Sequence, residues 1–329
     1  MLHYKNFTEA YYSLVSQTFE HNEFECSPRG QKVKENISVS FTISDPRNRL
    51  PYVEQREFSI TYAIAESLWY LAGLDSTEWI SNYSSFWSKI SDDGKTANSA
   101  YGARIFKQNP KIASGRLNQW EYIKEELRRD PDSRRAVILI RTPDDAVDAK
   151  LDMPCTLSLQ FFIRDNKLSL VSTMRSNDVI LGLANDVPAF CLFQELMAFE
   201  LGVELGSYIH TSNSMHVYDR HFPMCQRIKL TEPSLKEQWS VPALPPIRSA
   251  PPIEQLVRLE ELTRSVLTVK GIEHLKNSAF DSLMQGADDY WRDWGLILLA
   301  HRAGKLGSED FKQNILGSTT FEGYRRFSK

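Results

Sequence analysis

The segment LDMPCTLSLQFFIRDNKLSLVSTMRSNDVILGLAND, residues 151–186, decides how the chain is read. Thr156–Ile163 and Leu168–Met174 are rich in β-branched and apolar residues, and Arg164–Asp165–Asn166–Lys167 between them is turn-forming, so the pattern predicts a hairpin. Cys155 stands at the start of the first strand, directly after Pro154, and the polar run Arg175–Ser176–Asn177–Asp178 ends the second. A free cysteine is usually a small buried hydrophobe, and Cys191, in AFCLFQEL, fits that description. Cys155 differs because a proline sets its approach and a polar cluster follows it. A nucleophilic thiolate needs nearby positive charge, and Arg175 is the candidate neighbour if the hairpin forms.

Outward from this segment the chain alternates between helix and strand periods. Phe7, Tyr11, Leu14, Val15 and Phe19 recur at helical spacing, while Ile37, Val39, Phe41 and Ile43 alternate as in a half-buried strand. A polar loop containing Arg29 separates them. Phe58 to Leu74 predicts an apolar helix ended by Gly73, and Ser81 to Pro110 reads as loop-rich, carrying Trp87 and Tyr101. Ala136–Ile140 and Ser207–His210 suit strands, and Val187 to Val203 a buried helix. Residues 233–252 are dense in proline and predict an extended connector. Ile253–Leu267 and Asp289–Ala303 predict helices beyond it. The expected organisation is a main domain over 1–232, the connector, and a helical appendage over 253–329. The class is α+β with adjacent antiparallel strands, not a βαβ alternation.

Composition narrows the partners. A 329-residue chain that is 42% hydrophobic can bury a large core, and a net charge of −3 gives no electrostatic case for a nucleic-acid polymer or an anionic membrane. Cys26, Cys155, Cys191 and Cys225 are scattered without CxxC pairing, which argues against a structural metal or a disulfide framework and for a reducing compartment. The N-terminal residues lack a signal-peptide layout, and no apolar run is long enough to span a bilayer. The expectation is a cytoplasmic protein.

Other polar residues stand out individually. Glu66 lies in AIAESLWYL, where a carboxylate is costly to bury unless paired or functional. His216 and Tyr218, in SMHVYDRH, alternate on an extended segment and can point the same way as donors. Arg134 and Arg135 precede a strand, where a solvated charge pair is the ordinary reading.

Together the pieces AESLWYLAG, AYGAR, SRRAVILI, MPCTLSLQF, MRSNDVILGLAND and HTSNSMHVYDRH occur in one order that resembles the thymidylate synthase family, which includes the pyrimidine nucleotide hydroxymethylases. The resemblance runs from about Arg29 to His221. It implies a mixed β-sheet with flanking helices, packed back to back in a homodimer. It implies a pyrimidine nucleoside monophosphate as substrate and 5,10-methylenetetrahydrofolate as co-substrate, with no metal. Position by position, Cys155 matches the thiolate that attacks C6 of the base. Arg29, Arg175 and Ser176 match phosphate ligands, with Arg134 and Arg135 donated across the dimer. His216 and Tyr218 match the residues on the sugar 3′-hydroxyl. Glu66 matches the buried acid near the base, joined by Tyr101, while Trp87, Asp178 and Gly182 match the folate side.

Departures from the family pattern bear on the substrate. Where thymidylate synthases read LGLPFN, this chain reads LGLAND, which puts Asp186 in place of the asparagine that grips the base. A carboxylate can accept from the cytosine amino group and share a proton with N3, whereas it would oppose O4 of uracil. If Asp186 points elsewhere, Asn185 is the alternative. Family members with aspartate here are typically hydroxymethylases, in which water captures the one-carbon unit. Asn185 in place of phenylalanine, and a C-terminus reading FEGYRRFSK without a short apolar tail, agree with an open folate side. Met174 and Thr156 also depart from the pattern, without a separate physical account. The expected activity is 5-hydroxymethylation of CMP or dCMP. The alternatives are a thymidylate synthase acting on dUMP and a non-catalytic nucleotide-binding homologue.

Overall fold

Alternating burial along four strands builds one mixed sheet that organises the molecule. The computed structural model describes residues 1–108, 115, 117–146, 150–231 and 242–327. Its strands are β1 (Leu2–Tyr4), β2 (Phe24–Cys26), β3 (Val33–Ile43), β4 (Val137–Leu139), β5 (Thr156–Arg164), β6 (Lys167–Met174), β7 (Asn177–Asp178) and β8 (Glu204–Tyr218). The order is β1-β3-β8-β6-β5-β4, with β2 on β3 and β7 on β8. The helices are α1 (Phe7–Glu20), α2 (Ile60–Leu71), α3 (Thr77–Ile80), α4 (Phe86–Ile90), α5 (Tyr101–Phe106), α6 (Gln119–Arg129), α7 (Leu183–Leu201), α8 (Phe222–Leu230), α9 (Ile253–Ser265), α10 (Val269–His274), α11 (Phe280–Leu283), α12 (Asp289–Lys305) and α13 (Glu309–Gly317).

The expected hairpin forms between β5 and β6, with Arg164 opposite Lys167. Asp165 and Asn166 have φ of 49° and 59°, the left-handed pair of a tight type I′ connection, which suits the short polar side chains there. At the other end the register shifts between Thr156 and Ser158, so a bulge lies next to Cys155.

The expected α+β class and mixed sheet hold, while several details differ. β6 and β8 pair in parallel through the crossover helix α7, one βαβ unit in a sheet that is otherwise largely antiparallel. Nineteen-residue α7 is apolar on almost every side because it is buried between the sheet and other helices, which hides the periodicity that would have flagged a crossover. It also starts at Leu183, not Val187, which puts Asp186 in its first turn. The strand expected at Ser207–His210 extends over all of β8, so His216 and Tyr218 belong to that one strand. Trp87 and Tyr101, expected in loop, lie on the short helices α4 and α5. Part of the expected connector, 233–241, lies outside the described residues.

One face of the sheet is buried under α1 and α7 around Phe41, Phe161, Leu170 and Tyr208, all fully buried. Phe162, Val171 and Ile209 stand on the opposite face, half-buried and outside that core; Val171 and Ile209 are cross-strand partners. The C-terminal helices α9 and α12 pack on α2. Arg49 ties this region together, donating to Glu195 of α7 at 2.7 Å and to Tyr290 of α12 at 2.7 Å. No helix among the described residues is long and apolar enough to cross a membrane.

Candidate active site

The hairpin delivers Cys155 to Arg175, as its spacing requires. The Arg175 amide donates to the Cys155 carbonyl at 2.8 Å. The Arg175 guanidinium donates to the carbonyls of Pro154 and Met153 at 2.9 and 3.0 Å and to Ser176 Oγ at 3.1 Å. Ser176 Oγ in turn lies 3.8 Å from Cys155 Sγ as a donor. Burial nevertheless pushes the Cys155 thiol up, and the Arg175 charge only opposes this; Asp186 and Asp152 push in the same direction as burial. Burial thus favours the neutral thiol, and the Arg175 charge favours the thiolate.

Helix α2 presents the acid. Tyr62, Glu66 and Tyr70 sit at i, i+4 and i+8 on one face. Tyr62 donates to Glu66 Oε1 at 2.5 Å, and Trp87 Nε1 on α4 donates to the Tyr62 hydroxyl at 3.0 Å. Glu66 is 6% exposed, and burial raises its carboxyl to about 7 although Tyr62 and Tyr70 work against the rise. Tyr70 stacks on Tyr101 with ring centroids 5.4 Å apart. Helix α5 approaches so closely that a Cβ on Gly102 would lie 2.2 Å from the Tyr70 Cα, so only glycine permits this crossing.

Asp186 faces this cluster from the first turn of α7. Asn177 Nδ2 donates to its Oδ2 at 2.7 Å. Burial pushes the Asp186 carboxyl up to about 8, and the Glu66 charge adds to the rise. Asp186 keeps partial solvent exposure while being densely surrounded. The neighbouring Asn185 amide bonds back to the Leu181 carbonyl at 2.9 Å, so of the two candidate base readers Asp186 is the one that meets Glu66. The Tyr101 phenol is raised by burial and by the Asp186 and Cys155 charges, which puts it beside both, next to Thr156.

The turn between β7 and α7 is tightly built. Asp178 Oδ1 accepts from the amides of Ile180 and Leu181 at 2.8 and 3.2 Å, and its Oδ2 lies 3.9 Å from His221 Nδ1. Arg56 Nε donates to the Ile180 carbonyl at 2.6 Å. Gly182 closes the turn: a Cβ there would lie 2.8 Å from Asn177 Nδ2 and 3.3 Å from Asp186 Oδ2.

The remaining sequence candidates lie along β8, before β3 and before β4. His216 pairs with Asp178 across β8 and β7, and its ring meets Tyr218 edge-on at 5.2 Å. Tyr218 carries the Arg220 guanidinium over its ring at 4.0 Å. Arg29 is exposed, with φ of 53°, in a turn just before β3, whose Val33 pairs with Tyr218. Arg134 and Arg135 are exposed and have no ion-pair partner among the described residues. The Arg134 carbonyl accepts from Gln160 Nε2 at 3.0 Å, a residue on the sheet face away from α7. Sequence reasoning missed Tyr62, Tyr70, Arg56 and His221. The two tyrosines were findable, since both are four residues from Glu66 on a predicted helix. Arg56 and His221 carried no local signal.

Comparisons with known proteins give the family. Residues 9–244 match the thymidylate synthase family. A deoxyuridylate hydroxymethyltransferase of Bacillus phage SP01 is 31% identical over 297 residues, covering 87% of this chain and 76% of that protein. The thymidylate synthase of Bacillus phage phi3T is 31% identical over 176 residues, 53% of this chain and 63% of that protein. Thermostable thymidylate synthase A from Bacillus subtilis overlays with a TM-score of 0.59 at 24% identity, over 71% of this chain and 86% of that one, which is a likeness of fold. The family match and the SP01 relative define the class of protein, a one-carbon transferase. The chain belongs to the thymidylate synthase family.

Proposed function

We propose that this chain adds a hydroxymethyl group to C5 of a cytidine 5′-monophosphate, CMP or dCMP, using 5,10-methylenetetrahydrofolate. The observation that carries the reading is Asp186: a carboxyl raised to about 8, beside Glu66 and held by Asn177. A neutral carboxyl offers one donor and one acceptor, which matches cytosine N3 and its amino group. In this reading Cys155 Sγ adds to C6, and the proton that Asp186 shares with N3 makes C6 more electrophilic. Glu66 holds and passes a proton near the base, with Tyr101 as its neighbour. The folate supplies the one-carbon unit, and the Trp87 indole, Asp178 and Gly182 line its side. Water then captures the unit on C5. Arg29, Arg175 and Ser176 hold the phosphate, and His216 and Tyr218 hold the sugar.

Arg134 and Arg135 complete the phosphate site of a partner subunit in a homodimer. The half-buried Phe162, Val171 and Ile209 on the open sheet face support that assembly, since apolar groups on such a face gain from being covered. A second reading, hydroxymethylation or methylation of dUMP, is favoured by the SP01 relative, whose name specifies deoxyuridylate. The test is release of tritium from C5 of CMP, dCMP and dUMP, each with methylenetetrahydrofolate and with products weighed by mass. Release from a cytidine nucleotide with gain of CH2O is expected, and Cys155→Ala should abolish it while still binding nucleotide. Release from dUMP alone would replace the cytosine reading, with the product mass separating hydroxymethylation from methylation.

A further inference from the structure

As a base reader, the neutral carboxyl of Asp186 is chemically ambiguous. A carboxylic acid has one protonated oxygen and one bare oxygen. It matches cytosine, which shows an acceptor at N3 and a donor at its amino group, with the proton on one oxygen. It matches uracil, which shows the reverse pattern, with the proton on the other. An acid free to move its proton between the two oxygens would therefore discriminate poorly.

Asn177 is 2% exposed, and its backbone is pinned in β7 opposite Met215. Its Nδ2 donates to Asp186 Oδ2 at 2.7 Å, while its own Oδ1 is buried without a hydrogen-bond partner. Turning the amide over would set Oδ1 against Asp186 Oδ2, which is repulsive unless Oδ2 carries the proton. Gly182 leaves the space in which the amide lies, 2.8 Å from where a Cβ would stand.

We propose that Asn177 is a positioning residue that keeps Asp186 Oδ2 the acceptor and Oδ1 the proton carrier, and so sets the preference between cytosine and uracil. An oxygen that already accepts a short hydrogen bond is the poorer site for a proton, so the acid presents one face to the base and not its reverse. The other titratable groups around Asp186 do not bond to it: Glu66, Tyr62 and Tyr70 on α2, Tyr101 on α5, Cys155 before β5 and Tyr208 on β8 act on it, or it on them, through charge alone.

The proposal rests on the cytosine reading of Asp186, and the experiment separates the two. The full chain and its Asn177→Ala and Asn177→Ser variants are assayed for C5 tritium release from CMP, dCMP and dUMP across pH 5.5–9. The wild-type preference alone tests the base reading. The change on substitution tests Asn177: Asn177→Ala should shift the cytosine-to-uracil ratio of kcat/KM toward uracil by about tenfold, and move the pH profile of the cytidine reaction. Asn177→Ser, whose hydroxyl can still donate, should recover part of both, and serves if the alanine variant does not fold. An unchanged ratio and an unchanged pH profile in a folded variant would overturn the proposal. A wild type that accepts uracil nucleotides alone would overturn the base reading, and Asn177 would then stand or fall on whether its substitution alters that preference.

Discussion

Two carboxyls, Glu66 and Asp186, face each other where burial raises them to about 7 and about 8. An acid whose folded pKa is raised binds more protons folded than unfolded, so its contribution to stability is present below its ordinary carboxylate range. That contribution is lost as pH rises through about 7 for Glu66 and about 8 for Asp186. Replacing either by its amide should therefore stabilise the protein more at pH 8.5 than at pH 5. The expected outcome is a melting temperature for Asp186→Asn that exceeds wild type at both pH values and by a few degrees more at the higher one, read by thermal unfolding in both buffers. An equal shift at both pH values would mean that the acid is not buried as described. In the proposed reaction the same raised values bring both groups near the working pH of a proton-transferring site, so the cost to stability and the proposed chemistry have one origin.

At the scale of elements, the site depends on how closely α5 can lie against α2. Tyr70 and Tyr101 stack only because Gly102 lets the α5 backbone touch the backbone of Tyr70. Gly102→Ala would set a Cβ 2.2 Å from the Tyr70 Cα, where no flexible side chain can yield. Overpacking of this kind costs about 3 kcal/mol or more. Denaturant unfolding should show that loss, and turnover should fall with it because Tyr101 moves away from Asp186. The helix α7 is joined to its surroundings differently, through a buried ion pair: Arg49 and Glu195 are both buried, and Tyr290 and the Ile247 amide complete the network. Glu195→Ala would strand the Arg49 charge and destabilise by about 3–5 kcal/mol, measurable as a lower unfolding midpoint. Removing the charge and its partner together should cost less than Glu195→Ala alone.

At the scale of the whole molecule, the proposed dimer makes each active site a shared object. Mixing inactive Cys155→Ala chains with inactive chains carrying Arg134→Ala and Arg135→Ala should restore activity. In the mixed dimer one site pairs an intact Cys155 with intact arginines from the partner, so random exchange should recover about a quarter of wild-type turnover. No recovery after verified subunit exchange would place both arginines outside the partner's site. The C-terminal helices enter this picture through α9 and α12, which pack on the helix that carries Glu66.

Part of the candidate site's layout was legible in the chain itself. The hairpin defines the meeting of Cys155 with Arg175, because the tight Asp165–Asn166 turn fixes how the two strands pair. The alternation of His216 and Tyr218, the burial of Glu66 and the unusual LGLAND segment were likewise local properties of the chain. What the sequence alone determined is therefore the set of chemical groups and the hairpin that joins two of them, since both follow from residue type and short-range spacing. The tertiary structure decided the rest: the parallel crossing of β6 and β8, the facing of Glu66 and Asp186, and the grip of Asn177 on Asp186. Those depend on contacts between segments far apart in the chain, and on a burial that raises two carboxyls together, which no local pattern encodes.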